Sequence, residues 1–127
     1  MKKGDIITTL NKTAQIIYDK KGFNILALDV KDVSSLTDYV LIAEGNIDRH
    51  VVSIAKSIID ELNKTGEMPN HIEGLQTGDW IVLDYVNFMI HLFMPGLRDK
   101  YQLEKLWPES KIIELDIDYS NNKENFA

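Results

Sequence analysis

Cysteine is absent from the 127 residues, and with it go disulfides, thiolate metal sites and cysteine nucleophiles. Stability has to come from packing. No apolar run approaches the roughly 20 residues needed to cross a bilayer. The opening "MKKGDIITTLNKT" lacks the unbroken apolar segment of a secretory signal and the basic, serine-rich character of an organellar leader. The expectation is a soluble, cytoplasmic protein, bacterial in preference to organellar. Positive charge is also short, since 14 Lys and Arg stand against 20 Asp and Glu, for a net charge of −6. Phosphate contacts rely on Lys and Arg, and here Lys2, Lys3, Lys20 and Lys21 sit beside carboxylates. Little direct nucleic-acid binding is expected, and a basic protein is the better-matched partner.

What the chain does have is an apolar content of 44%, enough for one globular core. We assign a single domain to residues 1–117 and a flexible acidic tail to 118–127. Asp5 suits the cap of a first helix with Ile6, Leu10, Ala14, Ile17 and Tyr18 on its stripe, ended by Gly22. "FNILALDV" reads as a strand and "KDVSSLTD" as a polar loop. "YVLIAE", apolar almost throughout, reads as a central strand buried on both faces. Asn46 is the expected cap of a second helix with Val51, Ala55, Ile58 and Leu62 inward, stopped at Gly66 and Pro69. "EMPNHIEGLQTGD" reads as a loop, "LRDKYQLEKLW" as a short third helix and "KIIELDI" as an edge strand. Strand, helix and strand in that order suggest a right-handed crossover between parallel strands, to which a hairpin adds an antiparallel pair. The fold class is therefore α+β, a mixed sheet of four to five strands with helices mainly on one side.

The hairpin is "WIVLDYVNFMIHLF", residues 80–93. Side chains alternate faces along a strand, so Ile81, Leu83, Tyr85, Phe88, Ile90 and Leu92 form an apolar core side. The other face carries Trp80, Val82, Asp84, Met89, His91 and Phe93. A buried cover over that face would have to accommodate Asp84 and His91, at about 1–3 kcal/mol for each unpaired polar group. A wet, aromatic-centred protein contact surface fits better.

Chemistry finds weaker footing. The glycine turn in "EGNIDRH" resembles an anion site, and Asp84, Asp116 and Asp118 are the carboxylates that a nucleotide-handling enzyme would enlist. The alternating carboxylate pair such an enzyme needs is missing from "WIVLDY" and "HLFM". Asp84 and His91 can hydrogen-bond diagonally across the hairpin, but a hydrolase site also needs a nucleophile, and the nearby hydroxyls in sequence are Thr77 and Tyr85, with Tyr85 on the opposite face. His50 and His71 show no metal spacing with His91. No cofactor, metal or catalytic residue is assigned.

The motifs "ALDV", "SSLTDYVLIAEG" with "RHV" after it, Glu73–Gly74, "DWIVLDY" with "IHLF", and "RDKYQLEKLW" span roughly residues 25 to 108. In this order and spacing the chain resembles the ribosomal silencing factor, or Iojap, family. That resemblance implies a nucleotidyltransferase-like core without catalytic acids. It also implies binding to the large ribosomal subunit through ribosomal protein number fourteen, which blocks small-subunit joining when nutrients are short. A large-subunit assembly role and a homodimer off the ribosome are implied alongside. By position, Trp80, Asp84 and His91 match the family's hairpin residues, and Arg98, Tyr101, Leu103, Glu104 and Trp107 match its closing helix. Val82, Met89 and Phe93 join the contact patch because they share the face. Two positions depart from the pattern: Ile47 and Asp48 stand where small polar residues are usual, and Val86–Asn87 where the turn is commonly Gly-Asp. A two-residue hairpin favours φ > 0 residues. Val86 therefore points to a different loop, and a one-residue slip would bring Tyr85 or Phe88 to the contact surface.

Overall fold

The structure, a computed structural model, describes residues 3–101 and 103–120. Helix α1 (Lys3–Asp19) buries Ile6, Leu10, Ala14 and Ile17, the stripe expected of a helix packed on one side. Asp5 lies inside its first turn, not at the cap. The helix ends in a Schellman arrangement in which Lys21 takes the left-handed conformation (φ 67) and Gly22 N–H donates to Ile17 O at 2.8 Å. Gly22 serves by its size: a Cβ there would stand 2.4 Å from Ile17 Cγ2.

Strands β1 (Phe23–Asp29) and β2 (Tyr39–Glu44) follow, then α2 (Asp48–Asn63). Every residue of β2 is buried. Helix α2 turns Val51, Ile54, Ala55, Ile58 and Leu62 inward. Asn46 does not cap it. Ile47 is the N-cap, extended and without a side-chain bond, while Asn46 N–H donates to His50 Nδ1 at 2.8 Å. With Nδ1 accepting, His50 Nε2 carries the proton and donates to Lys20 O at 2.6 Å. The imidazole thus ties the start of α2 to the end of α1.

The sheet has six strands in the order β3-β4-β5-β2-β1-β6, one more than expected. The extra strand is β3 (His71–Glu73), in a segment read as loop. Three residues are too few to show a period, and pairing with β4 (Trp80–Asp84) creates the strand. β2 runs parallel to β5 (Phe88–Phe93), and all other neighbours, including the edge strand β6 (Lys111–Ile113) on β1, are antiparallel. The first hairpin strand, β4, is therefore antiparallel to β2. The strand that follows α2 is β3, which runs parallel to β2 from the far edge while the hairpin fills the gap.

Helices α1 and α2 cover one face, where Tyr39, Leu41, Ile81, Leu83, Phe88, Ile90 and Leu92 form the main core. The short α3 (Leu97–Tyr101) and a 3-10 turn (Leu103–Leu106) follow the hairpin. Residues 116–119 lie along α1: Asn11 Oδ1 accepts Asp116 N–H at 2.8 Å and Gln15 Oε1 accepts Asp118 N–H at 2.7 Å. Of the tail expected over 118–127, residues 121–127 lie outside the described residues.

The hairpin register does not slip. Trp80 faces Phe93, Val82 faces His91 and Asp84 faces Met89. Tyr85 and Phe88 stay on the core side with rings stacked at 4.9 Å. The turn accommodates its unsuitable sequence by strain. Val86 is held at φ 73, with Asn87 N–H donating to Tyr85 O at 2.9 Å across a three-residue turn. Asp84 Oδ1 accepts the Val86 N–H at 2.8 Å and braces that conformation.

Candidate partner-binding face

Register fixes what the second face of the sheet presents. Phe93 aligns with Trp80 and Glu44, His91 with Val82 and Ile42, and Met89 with Asp84 and Val40. The sequence-derived patch is thus one continuous side of two strands, but its two ends differ in exposure.

At the Trp80 end the face is covered. Phe93 is 0% exposed and belongs to a second apolar cluster with Val40 and Ile42, against which Trp80, Leu97 and Trp107 pack, and His91 is 7% exposed. The wet surface expected here is therefore absent at His91 and Phe93. The polar penalty that argued against a cover is met by Trp80, whose Nε1–H donates to His91 Nδ1 at 3.2 Å. Trp80 also stacks on Phe93 at 5.0 Å, and Trp107 lies 6.3 Å from the His91 ring. Asp84 and His91 do not bond to each other, since the Asp84 carboxylate is turned to the hairpin tip.

Arg98 anchors this cover. Its Nη1 donates to Asn24 O and lies 3.2 Å from Glu44 Oε2, which also accepts from Asn24 Nδ2 at 2.8 Å. The side chains of Arg98 and Glu44 are 12% and 9% exposed, so the pair is largely withdrawn from water. Arg98 thus acts within the fold, holding α3 to the sheet. Tyr101 and Glu104 lie on the same closing segment, and their side chains fall outside the described residues. Asn24 and Glu44 were not singled out in the sequence. Asn24 sits at φ 52 beside a register irregularity in β1, and no local pattern signals a pairing across 54 residues.

Burial pushes the His91 imidazole down to about 4. The unfolded chain binds this proton from its ordinary value near 6.5, so the stability tied to neutral His91 is intact above about pH 6.5 and drains away as pH falls towards 4. The difference corresponds to about 3 kcal/mol. We expect His91→Asn to flatten the acid limb of a stability-versus-pH curve in this window. Parallel wild-type and variant curves would show that His91 is not the group responsible.

Beyond the cover, towards the hairpin tip, Val82, Asp84 and Met89 are partly exposed, as is Trp80 at the margin. This is the accessible part of the patch. The residues of the enzymatic alternative do not converge. Gly45 follows the Glu44 end of the sheet, Asp84 lies at the opposite end, and Asp116 and Asp118 run along α1. Among the described residues no group of three or more His, Asp or Glu could hold a metal ion, and no helix is long and apolar enough to cross a membrane.

The model of the family "Ribosomal silencing factor during starvation" matches residues 3–127. The ribosomal silencing factor of Bacillus subtilis is 37% identical over 98 residues, 77% of this chain and 83% of that protein. The mouse protein named for mitochondrial assembly of the ribosomal large subunit is 27% identical over 101 residues, 77% of this chain and 44% of that one. A crystal structure from Chromobacterium violaceum superposes with a TM-score of 0.76 at 28% identity, covering 90% of this chain and 95% of its own. On the family match and the bacterial relative, the chain belongs to the ribosomal silencing factor family.

Proposed function

We propose that the chain makes and breaks no bonds, and instead binds the large ribosomal subunit through its basic protein number fourteen so that the small subunit cannot join. The observation that carries this reading is the accessible strip of Trp80, Val82, Asp84 and Met89 on an acidic member of a silencing family. Aromatic and aliphatic groups beside a carboxylate suit a basic partner, because charge steers encounter and apolar burial holds it.

Mixing purified subunits with and without the protein, and following all three in a density gradient, tests the reading. The protein is expected to travel with the large subunit and to reduce joined ribosomes. Asp84→Asn keeps an acceptor for Val86 N–H while removing the charge. Combined with Trp80→Ala, it is expected to weaken large-subunit binding tenfold or more. Undiminished binding by a folded double variant would exclude this strip.

A role in large-subunit assembly draws support from the mouse relative's name. A deletion strain short of mature large subunits but normal in subunit joining would favour that role over silencing.

A further inference from the structure

One end of the sheet carries apolar side chains that the fold leaves in water. Across it lie the end of β1, the start of β2, the end of β4 and the starts of β5 and β6, aligned through Asp29, Tyr39, Phe88, Asp84 and Lys111. Leu36, in the loop between β1 and β2, is 83% exposed, Val86 at the hairpin tip 56% and Ile112 on β6 75%. The two projecting segments are fastened together, because Asn87 O accepts both Asp38 N–H and Tyr39 N–H at 3.2 Å. The hairpin tip and the β1–β2 loop therefore form one supported surface.

Its charge is negative on balance. Asp32, Asp38 and Asp84 make no ion pair among the described residues, whereas Lys31 is committed to Asp29 at 3.1 Å and to the Tyr39 hydroxyl at 2.8 Å, and Lys111 lies opposite Asp29. Exposed aliphatic side chains on a surface with surplus carboxylates disfavour a phosphate backbone and favour a cationic protein.

We infer that this sheet end is a docking point for a basic protein segment presenting an apolar side chain between lysines or arginines, which seats on Leu36 and Val86. The inference rests on the proposed function, and it extends the contact from the Trp80 strip to the sheet end. The test is co-sedimentation of the full chain with purified large subunits, comparing wild type with Leu36→Ser/Val86→Asn and with Asp32→Lys. Asn tolerates the left-handed conformation at position 86 and Leu36 is exposed, so the double variant keeps its fold. The expected result is a tenfold or greater loss of binding for the double variant, and for Asp32→Lys a weaker dependence of binding on salt. Undiminished binding by the double variant, with wild type bound, overturns the inference alone. Loss of self-association in the double variant, with subunit binding retained, assigns the surface to a second copy and also overturns it. Failure of wild type to bind the subunit removes the proposed function and this inference together.

Discussion

Gly74→Ala is expected to lower the urea unfolding midpoint far more than Gly66→Ala, although both glycines have positive φ. At Gly66 (φ 88) an added Cβ would meet nothing within 4 Å among the described residues, whereas at Gly74 (φ 81) that carbon would lie 1.9 Å from Trp80 O. An alanine in this backbone region costs about 1–3 kcal/mol by itself, and Gly66→Ala should show only that. At position 74 the backbone must also move away from β4, which unpairs β3 and disturbs Trp80, the donor to His91. A total loss above about 3 kcal/mol follows. Equal midpoints for the two variants would mean that β3 gives way freely and that its contact with Trp80 holds nothing in place.

The second large effect is expected at the buried ion pair. Arg98→Ala leaves the Glu44 carboxylate in a nearly dry site, still accepting from Asn24 Nδ2 but without its cation. Removing one partner of a buried pair costs about 3–5 kcal/mol, while replacing both by apolar groups is often neutral. Arg98→Ala should therefore lower the thermal midpoint sharply, and Arg98→Met/Glu44→Leu should recover most of the loss. Because α3 leads into the segment carrying Trp107 over His91, the single variant should also shift tryptophan fluorescence towards that of exposed indole. A thermal loss with unchanged fluorescence would show that Trp107 is held over the face independently of Arg98.

These two sites also mark where the sequence stops being informative. The alternation of apolar residues in 80–93 determined both hairpin faces and their pairing, because side-chain direction along a strand has a fixed period of two. The stripes Ile6, Leu10, Ala14, Ile17 and Val51, Ala55, Ile58, Leu62 likewise determined which helix faces are buried, since the 3.6-residue period is local. The motif order from "ALDV" to "RDKYQLEKLW" determined the family. Turn chemistry gave half an answer. Val86 signalled an unusual loop, but the register held because the core residues on either side of the tip and the Asp84 brace outweigh the local strain at one position.

Only the tertiary structure decided the rest, and in each case long-range contact overrode local preference. β3 exists because β4 offers it a hydrogen-bonding edge. Ile47 takes the N-cap position while the His50 imidazole bonds on both sides of the turn. Phe93 and His91 are withdrawn from solvent because Leu97 and Trp107 pack over their end of the sheet and Arg98 finds Glu44. A sequence pattern states which side of a strand a residue occupies. What covers that side depends on where a segment far along the chain lands, and this is set by the summed packing of the whole domain.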